Sequence, residues 1–220
     1  MKMKYALILL MLFVSTTTYA ITFVAVVVGV NDYPGDDHDL NYAVNSAYEF
    51  RDKIIDELGW SLSDFEQLYN GNAGDLQILA AIEDFPRSSG NTCLFFFAGH
   101  GSSDSLALAP NHDYFLAGDD DEISPTALQS EFGSTYNQYC CFIDACGSGC
   151  FCNTMTKGVI GSACYASEYE TPDTGVGLGK YTHLLVNYAL HNLNADPEGM
   201  VSAEDIMQYA KDRPLGPHPT

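Results

Sequence analysis

The chain has 220 residues, which is enough for one domain with a sizeable hydrophobic core. Its 29 acidic residues outnumber 9 lysines and arginines, so the formal net charge at neutral pH is −20. This charge argues against nucleic-acid binding, because phosphates repel an acidic surface, and it favours a solubilising surface or cationic partners. The sequence contains no internal repeat, low-complexity segment or heptad pattern.

The N-terminus has the pattern of a secretory signal peptide. Lys2 and Lys4 precede ten apolar residues and a run of small residues that ends at Ala20. Ten apolar residues are too few to span a bilayer, which needs about 20. We therefore predict a signal peptide over residues 1–20 and a mature domain over 21–220. The mature domain is expected to be secreted or periplasmic, with no membrane span.

The mature sequence alternates predicted strands and helices. Apolar residues at helical spacing identify the helices, and continuous apolar runs identify buried strands. In chain order we predict a strand over 22–30, a helix over 39–58, a strand over 65–69, a helix over 74–85, a strand over 92–98, hairpin strands near 105–109 and 113–117, a helix that begins at Pro125, strands over 138–144 and 158–164, a helix over 180–193 and a last helix that begins after Ser202. Such alternation predicts an α/β fold of three layers, with helices on both faces of a mainly parallel sheet.

Two of the apolar runs are followed by residues that carry chemistry. The run 93–98 is followed by Gly-His-Gly, centred on His100, and the run 139–143 by Asp-Ala-Cys-Gly, which contains Cys146. Because the carboxyl ends of parallel strands meet at one edge of a sheet, we expect these two side chains to lie together. A thiol needs a base or a lowered pKa to attack a carbonyl, and a neighbouring histidine supplies the base. We therefore predict a catalytic Cys146–His100 dyad.

Four segments together resemble the caspase-like clan of cysteine peptidases, which includes caspases, metacaspases, legumain-like enzymes and bacterial or archaeal relatives. They occur in the family's order and are residues 40–45, 97–101, 144–149 and 163–168. The resemblance implies the caspase-like fold, cysteine endopeptidase activity and a peptide or protein substrate. It also implies that the backbone amides of Gly101 and Cys146 form the oxyanion hole.

The resemblance further indicates where the P1 side chain of a substrate binds. The family's acid or amide two residues before the cysteine is Asp144, and a carboxylate there would pair with Arg or Lys. Around the same S1 pocket the resemblance places Ser46, Ala98, Cys164 and Glu168. Ser46 and Ala98 depart from metacaspases, which carry an acid and a hydroxyl residue at these positions. We expect cleavage after Arg or Lys. The alternatives are Asn-directed cleavage, as in legumains, or a weakly catalytic peptide-binding protein on the same fold.

All seven cysteines follow residue 20, and an odd number in an exported chain suggests one free thiol. With Cys146 as the nucleophile, the other six can form up to three disulfides, and we expect at least one. A zinc site that uses Cys146, Cys150, Cys152 and another cysteine is the competing interpretation. Their Cys-x3-Cys-x-Cys spacing lacks the Cys-x2-Cys pairs that structural zinc sites favour, so no metal is expected there.

Acidic clusters at 36–39 and 119–122 raise the question of calcium, which some metacaspases need. Neither cluster has the ligand spacing of an EF-hand loop. We expect solvated loop acids and no cofactor, with calcium dependence as the alternative.

Many caspase-like peptidases are activated when the loop after the cysteine strand is cut, often by the enzyme itself. Lys157 is the only basic residue in that loop, so a basic P1 preference makes it the first candidate for self-cleavage. Lys180 is the second candidate, on the far side of the predicted specificity loop.

Overall fold

A computed structural model describes residues 23–35, 39–84, 92–102, 114–135, 138–156, 158–163, 172–173 and 175–190. In chain order its elements are β1 (Phe23–Gly29), α1 (Ala43–Leu58), β2 (Phe65–Tyr69), α2 (Asp75–Asp84), β3 (Thr92–Ala98), β4 (Gly101–Ser102), β5 (Tyr114–Leu116), β6 (Glu122–Ile123), α3 (Pro125–Thr135), β7 (Gln138–Asp144), α4 (Gly149–Thr154), β8 (Val159–Ser162), β9 (Pro172–Asp173), β10 (Leu178–Gly179) and α5 (Lys180–Leu184), which continues as a π-helical turn over Leu185–Leu190.

Within these residues, a five-stranded sheet in the order β2-β1-β3-β7-β8 forms the central layer. All four neighbouring pairs are parallel. The strands β1, β3 and β7 are buried along almost their whole length, because helices cover both faces of the sheet. This burial explains their uninterrupted apolar runs, and it confirms the predicted three-layer α/β fold.

Alternate side chains of β3 enter two separate cores. Phe95 and Phe97 pack on the face covered by α2, α3 and α4. Phe96 packs on the opposite face with α1 and α5, where its ring stacks on Phe50 at a centroid distance of 4.3 Å. Each buried phenylalanine contributes about 1.5–3 kcal/mol relative to an exposed one. The strand that leads to His100 is thus held rigidly from both sides.

Helix α1 begins at Ala43, four residues after the predicted start at 39. The Asn31 side-chain oxygen accepts hydrogen bonds from the amides of Ala43 (2.8 Å) and Val44 (3.2 Å). These amides would otherwise have no partner at a helix N-terminus. The cap comes from twelve residues upstream, so the local pattern that predicted the helix could not fix where it begins.

Three features of the structure were not predicted. The strands β4, β5 and β6 form a small antiparallel sheet, in which β5 lies within the predicted strand 113–117. The short helix α4 follows Cys146, and β9 and β10 form an antiparallel pair just before α5. The other predicted hairpin strand, 105–109, and the last predicted helix lie outside the described residues.

The six cysteines that the structure describes are all thiols, so the expected disulfide is not formed among them. Cys93, Cys140 and Cys141 lie on central strands and pack in the two cores, where a thiol acts as a small apolar side chain. Cys164 lies outside the described residues. None of the described helices is both long enough and apolar enough to cross a membrane. The predicted signal peptide also falls outside the described part of the chain.

Candidate active site

The two predicted dyad residues leave the sheet side by side. In the parallel register of β3 and β7, Ala98 pairs with Asp144, and His100 and Cys146 each follow two residues later. One step beyond this pair, the Gly99 amide donates a hydrogen bond to the Asp144 carbonyl at 3.2 Å. Neighbouring strands lie about 4.8 Å apart. The chain segments that continue from Ala98 and from Asp144 therefore leave the sheet next to each other.

The connection that follows His100 also contacts the one that carries Cys146. A Cβ added at Gly101 would collide with the Cys146 carbonyl oxygen and would lie 3.0 Å from the Ala145 Cβ. A glycine is required at this position because the two main chains approach too closely for any side chain. Gly101 and Cys146, the two predicted oxyanion donors, are therefore in main-chain contact.

Cys146 lies in a tight turn between β7 and α4 and is partly exposed to solvent. The next residue, Gly147, has φ of +66°, a conformation that glycine adopts without strain. Ser148 then ties the turn to the end of β8, because its hydroxyl accepts a hydrogen bond from the Ala163 amide at 3.1 Å. Cys146 is thus partly exposed while the backbone that carries it is held in place.

His100 has a neighbour that the sequence analysis did not identify. The hydroxyl of Tyr33 accepts a hydrogen bond from the His100 amide at 2.8 Å, and the two rings are in contact. Tyr33 lies in the connection after β1, a segment to which the sequence analysis assigned no site residue. Because 67 residues separate the pair, no local pattern could have linked them.

The two described polar residues of the predicted S1 pocket bond to the start of α5. Asp144 is fully buried, and its Oδ2 accepts hydrogen bonds from the Thr182 amide (3.1 Å) and from the Thr182 hydroxyl. Ser46 is also fully buried, and its hydroxyl accepts a hydrogen bond from the Gly179 amide at 3.0 Å. A Cβ at Gly179 would collide with the Asp144 carboxylate. The segment 179–182 is therefore seated directly on these two residues.

The remaining predicted site residues are distributed as follows. Ala98 is fully buried at the end of β3. Lys180 is the first residue of α5 and is partly buried. Cys164, Glu168 and Lys157 lie outside the described residues. The structure thus brings Asp144 and Ser46 together through Gly179 and Thr182, two residues that sequence reasoning missed because their contacts are made across the fold.

Of the predicted acidic clusters, the second contributes to a group of three carboxylates. Oxygens of Asp75, Asp119 and Asp121 lie within 4.8 Å of one another, and Asp119 also accepts a hydrogen bond from the Asp75 amide at 3.2 Å. Calcium takes six to eight oxygen ligands, so these partly or fully exposed carboxylates supply an incomplete set. In the first cluster, Asp39 accepts a hydrogen bond from the Tyr33 amide, and residues 36–38 lie outside the described residues.

The cysteines around the active-site turn form no metal-binding group in the described part of the chain. The Cys152 thiol instead lies 3.4 Å from the Ser162 hydroxyl and 3.5 Å from the Ile160 carbonyl, to which it donates. These contacts join α4 to β8, which gives Cys152 a structural surrounding distinct from the turn that carries Cys146.

Comparisons with known proteins agree with this architecture. The sequence profile of the caspase domain matches residues 22–206. A crystal structure of a Geobacter sulfurreducens protein from a structural genomics programme matches with a TM-score of 0.65 at 14% identity, over 88% of this chain and 90% of that one. Caspase-1 from Spodoptera frugiperda matches with a TM-score of 0.63 at 13% identity, over 86% of this chain and 75% of that one. No curated protein sequence matches the chain. At these identities the solved structures share the fold.

Proposed function

The chain belongs to the caspase domain family, and from this premise we propose that it is a cysteine endopeptidase with Cys146 as nucleophile and His100 as base. Membership of the family supports a cysteine peptidase in general. The observation that supports this particular pair is the register of β3 and β7, which delivers both residues to one edge of the sheet. A nucleophile and a base from neighbouring strand ends form the arrangement that acyl transfer needs.

In the proposed reaction, the Cys146 sulfur attacks the carbonyl carbon of the scissile peptide while His100 takes the thiol proton. His100 then gives that proton to the leaving amine, and the peptide C–N bond breaks to leave a thioester on Cys146. Water hydrolyses the thioester, with His100 again acting as base. The amides of Gly101 and Cys146 are proposed to stabilise the tetrahedral oxyanion, and the close approach of Gly101 to the Cys146 carbonyl shows that these two residues are neighbours.

We propose that the enzyme cleaves after Arg or Lys. Asp144 supports this preference, because it is a buried carboxylate two residues before the nucleophile and would attract a cationic P1 side chain. The proposed pocket is completed by Ser46, Ala98, Cys164 and Glu168. Both hydrogen bonds from Thr182 end on Oδ2 of Asp144, which reduces the carboxylate's capacity for bidentate pairing with a guanidinium.

One observation favours a second candidate function, that of a peptide-binding protein with weak or no catalysis. Asp144 is fully buried, and Gly179 and Thr182 lie directly against its carboxylate. We expect the start of α5, which lies against this carboxylate, to shift when a P1 side chain binds there. If it does not shift, the fold can bind a peptide without placing its P1 side chain correctly for cleavage.

The test is covalent trapping with peptidyl warheads that carry Arg, Lys, Asn or Asp at P1, followed by mass mapping of the labelled residue. Labelling of Cys146 by the Arg or Lys probes, together with hydrolysis of matching peptides, is expected. Cys146→Ala should abolish both, and His100→Ala should lower hydrolysis by several orders of magnitude.

The matched control for the trapping experiment is Cys152→Ala, which removes an exposed thiol six residues further along the chain. It should leave labelling and hydrolysis within about twofold of the unmodified protein. Full turnover in Cys146→Ala would contradict the assignment. Peptide binding without hydrolysis in the unmodified protein would favour the second candidate function, and labelling by the Asn probe alone would favour an Asn-directed peptidase.

We also propose that the protein is exported and that its mature N-terminus is Ile21, on the basis of the charged, apolar and small-residue pattern of the first 20 residues. Intact-mass measurement after expression in the native compartment tests this, since retention of residues 1–20 would contradict it.

The proposed reaction requires no cofactor, and activity that persists in excess chelator is the expected result. Loss of activity in chelator, restored by calcium, would instead identify calcium dependence.

A further inference from the structure

The backbone of His100 is held by two other parts of the chain at once. Its amide donates to the Tyr33 hydroxyl at 2.8 Å, and its carbonyl accepts from the Leu116 amide at 3.0 Å. The Tyr33 hydroxyl in turn donates to the Leu116 carbonyl at 3.5 Å. These three residues therefore close a ring of hydrogen bonds that joins the connection after β1, the connection after β3 and the strand β5.

Tyr33 is itself held firmly in place. Its side chain is 3% exposed, and its backbone amide donates to the Asp39 side chain at 3.1 Å. Its ring meets the His100 ring at a centroid distance of 5.0 Å and an angle of 49°. Tyr33 thus contacts both the main chain and the imidazole of the proposed base, and it limits the directions in which that imidazole can turn.

The glycine before His100 shows how closely the tyrosine is seated. A Cβ added at Gly99 would lie 2.6 Å from the Tyr33 hydroxyl oxygen and 2.7 Å from Phe97 Cζ. Carbon atoms do not approach side chains this closely, so the tyrosine hydroxyl fills the space that a side chain at position 99 would need. The same close contact therefore explains why a side chain does not fit at position 99 and where the Tyr33 hydroxyl lies.

Burial raises the pKa of Tyr33 well above its ordinary value of 10, while the hydrogen bond from the His100 amide acts in the opposite direction. The hydroxyl therefore stays protonated at physiological pH. A protonated hydroxyl can accept from His100 and donate to Leu116 at the same time, as the ring of hydrogen bonds requires.

We propose that Tyr33 is a positioning residue, which acts through His100 by fixing its backbone and ring relative to Cys146. The inference rests on the proposed Cys146–His100 dyad and deepens it. A base displaced by about 1 Å can lower a rate by about a hundredfold, so loss of one hydroxyl can affect catalysis more than stability.

The test compares Tyr33→Phe with Tyr69→Phe. Each removes one hydroxyl and keeps the ring, and the Tyr69 hydroxyl donates to Gln67 on β2, away from the dyad. We expect Tyr33→Phe to lower kcat by about tenfold to a hundredfold with little change in KM. Tyr69→Phe should change kcat by less than about twofold. A loss of kcat in Tyr33→Phe no larger than in Tyr69→Phe would overturn the inference.

A second readout does not depend on peptide hydrolysis. The rate at which iodoacetamide alkylates Cys146 reports how well His100 activates that thiol. Because Cys152 is exposed, mass mapping is needed to assign each label to its cysteine. Tyr33→Phe should slow this alkylation several-fold, and His100→Ala should slow it at least as much. If the unmodified protein alkylates rapidly in a His100-dependent way, Tyr33→Phe slows that alkylation and no peptide is cleaved, the proposed function fails while the positioning role is supported. Unchanged alkylation in Tyr33→Phe would overturn the positioning role.

Discussion

Asp144 is a carboxylate with none of its surface exposed to solvent. A charge removed from water is tolerated only when hydrogen bonds or an opposite charge replace its hydration. Thr182 supplies two such hydrogen bonds, one from its amide and one from its hydroxyl. The same contacts fix the start of α5 to β7, the strand that leads to Cys146. Thr182 therefore joins α5 to Asp144 in the proposed S1 pocket.

We predict that Thr182→Val destabilises the fold more than Thr182→Ser does, because serine keeps the hydroxyl and loses only one buried methyl group. Valine keeps the shape and the amide donor but removes the hydroxyl, which leaves the buried Asp144 carboxylate with one hydrogen bond fewer. Loss of a hydrogen bond to a buried charged group costs about 1–3 kcal/mol. Urea unfolding of the two variants measures this difference in the free energy of unfolding. Equal stability of the valine and serine variants would show that the hydroxyl contributes nothing.

At the scale of secondary structure, the central strands were the most predictable elements. β1, β3 and β7 are covered by helices on both faces, so nearly every side chain must be apolar and the signal is continuous along the sequence. The start of α1 was less predictable, because its cap is supplied by Asn31 from the preceding loop. The antiparallel pair β9 and β10 has two residues in each strand, too few for a periodic pattern to be visible.

The contact between the connections that carry Gly101 and Cys146 gives a second prediction, which compares Gly101→Ala with Gly133→Ala. A methyl group at position 101 would collide with the Cys146 carbonyl, a main-chain group that cannot move without displacing the proposed nucleophile. We expect loss of activity and destabilisation of about 1–3 kcal/mol or more.

Position 133 is the control for this pair, because it lies in α3 with open space around an added Cβ. There alanine should stabilise the helix by about 0.5–1 kcal/mol and leave activity unchanged. Thermal unfolding and peptide hydrolysis measure both effects. An active, stable Gly101→Ala variant would show that the two connections are not packed as the structure has them.

At the scale of the whole molecule, the sequence alone indicates the proposed dyad but not the residues that contact it in the structure. His100 and Cys146 follow strand ends, and the rule that parallel strands end at one edge connects them without knowledge of the fold. Tyr33 and Thr182 reach the site across 67 and 38 residues of chain, respectively. Their contacts depend on how loops and helices dock on the sheet, and such docking leaves no periodic signal in the sequence.

The folded structure also bears on Lys180, the second of the two lysines proposed as self-cleavage sites. A peptidase site binds its substrate in an extended form, but the Lys180–Tyr181 bond lies in the first turn of α5. The residues around it are anchored, because the Gly179 amide bonds to Ser46, the Thr182 amide bonds to Asp144, and Tyr181 is only 8% exposed. Cleavage at Lys180 would first require this helix start to unfold.

Lys157 itself is outside the described residues, but Thr156 and Gly158, which precede and follow it in the chain, are both exposed, and Gly158 has φ of +80°. If the enzyme cleaves after basic residues, we therefore predict that purified protein yields fragments that end at Lys157. Cys146→Ala and Lys157→Ala should both stay whole, whereas the matched variant Lys180→Ala should be cut like the unmodified protein. Fragment masses decide the matter. Fragments ending at Lys180 would mean that the start of α5 opens readily, and fragments ending only at Asp or Asn would mean that Asp144 does not select a basic P1 side chain.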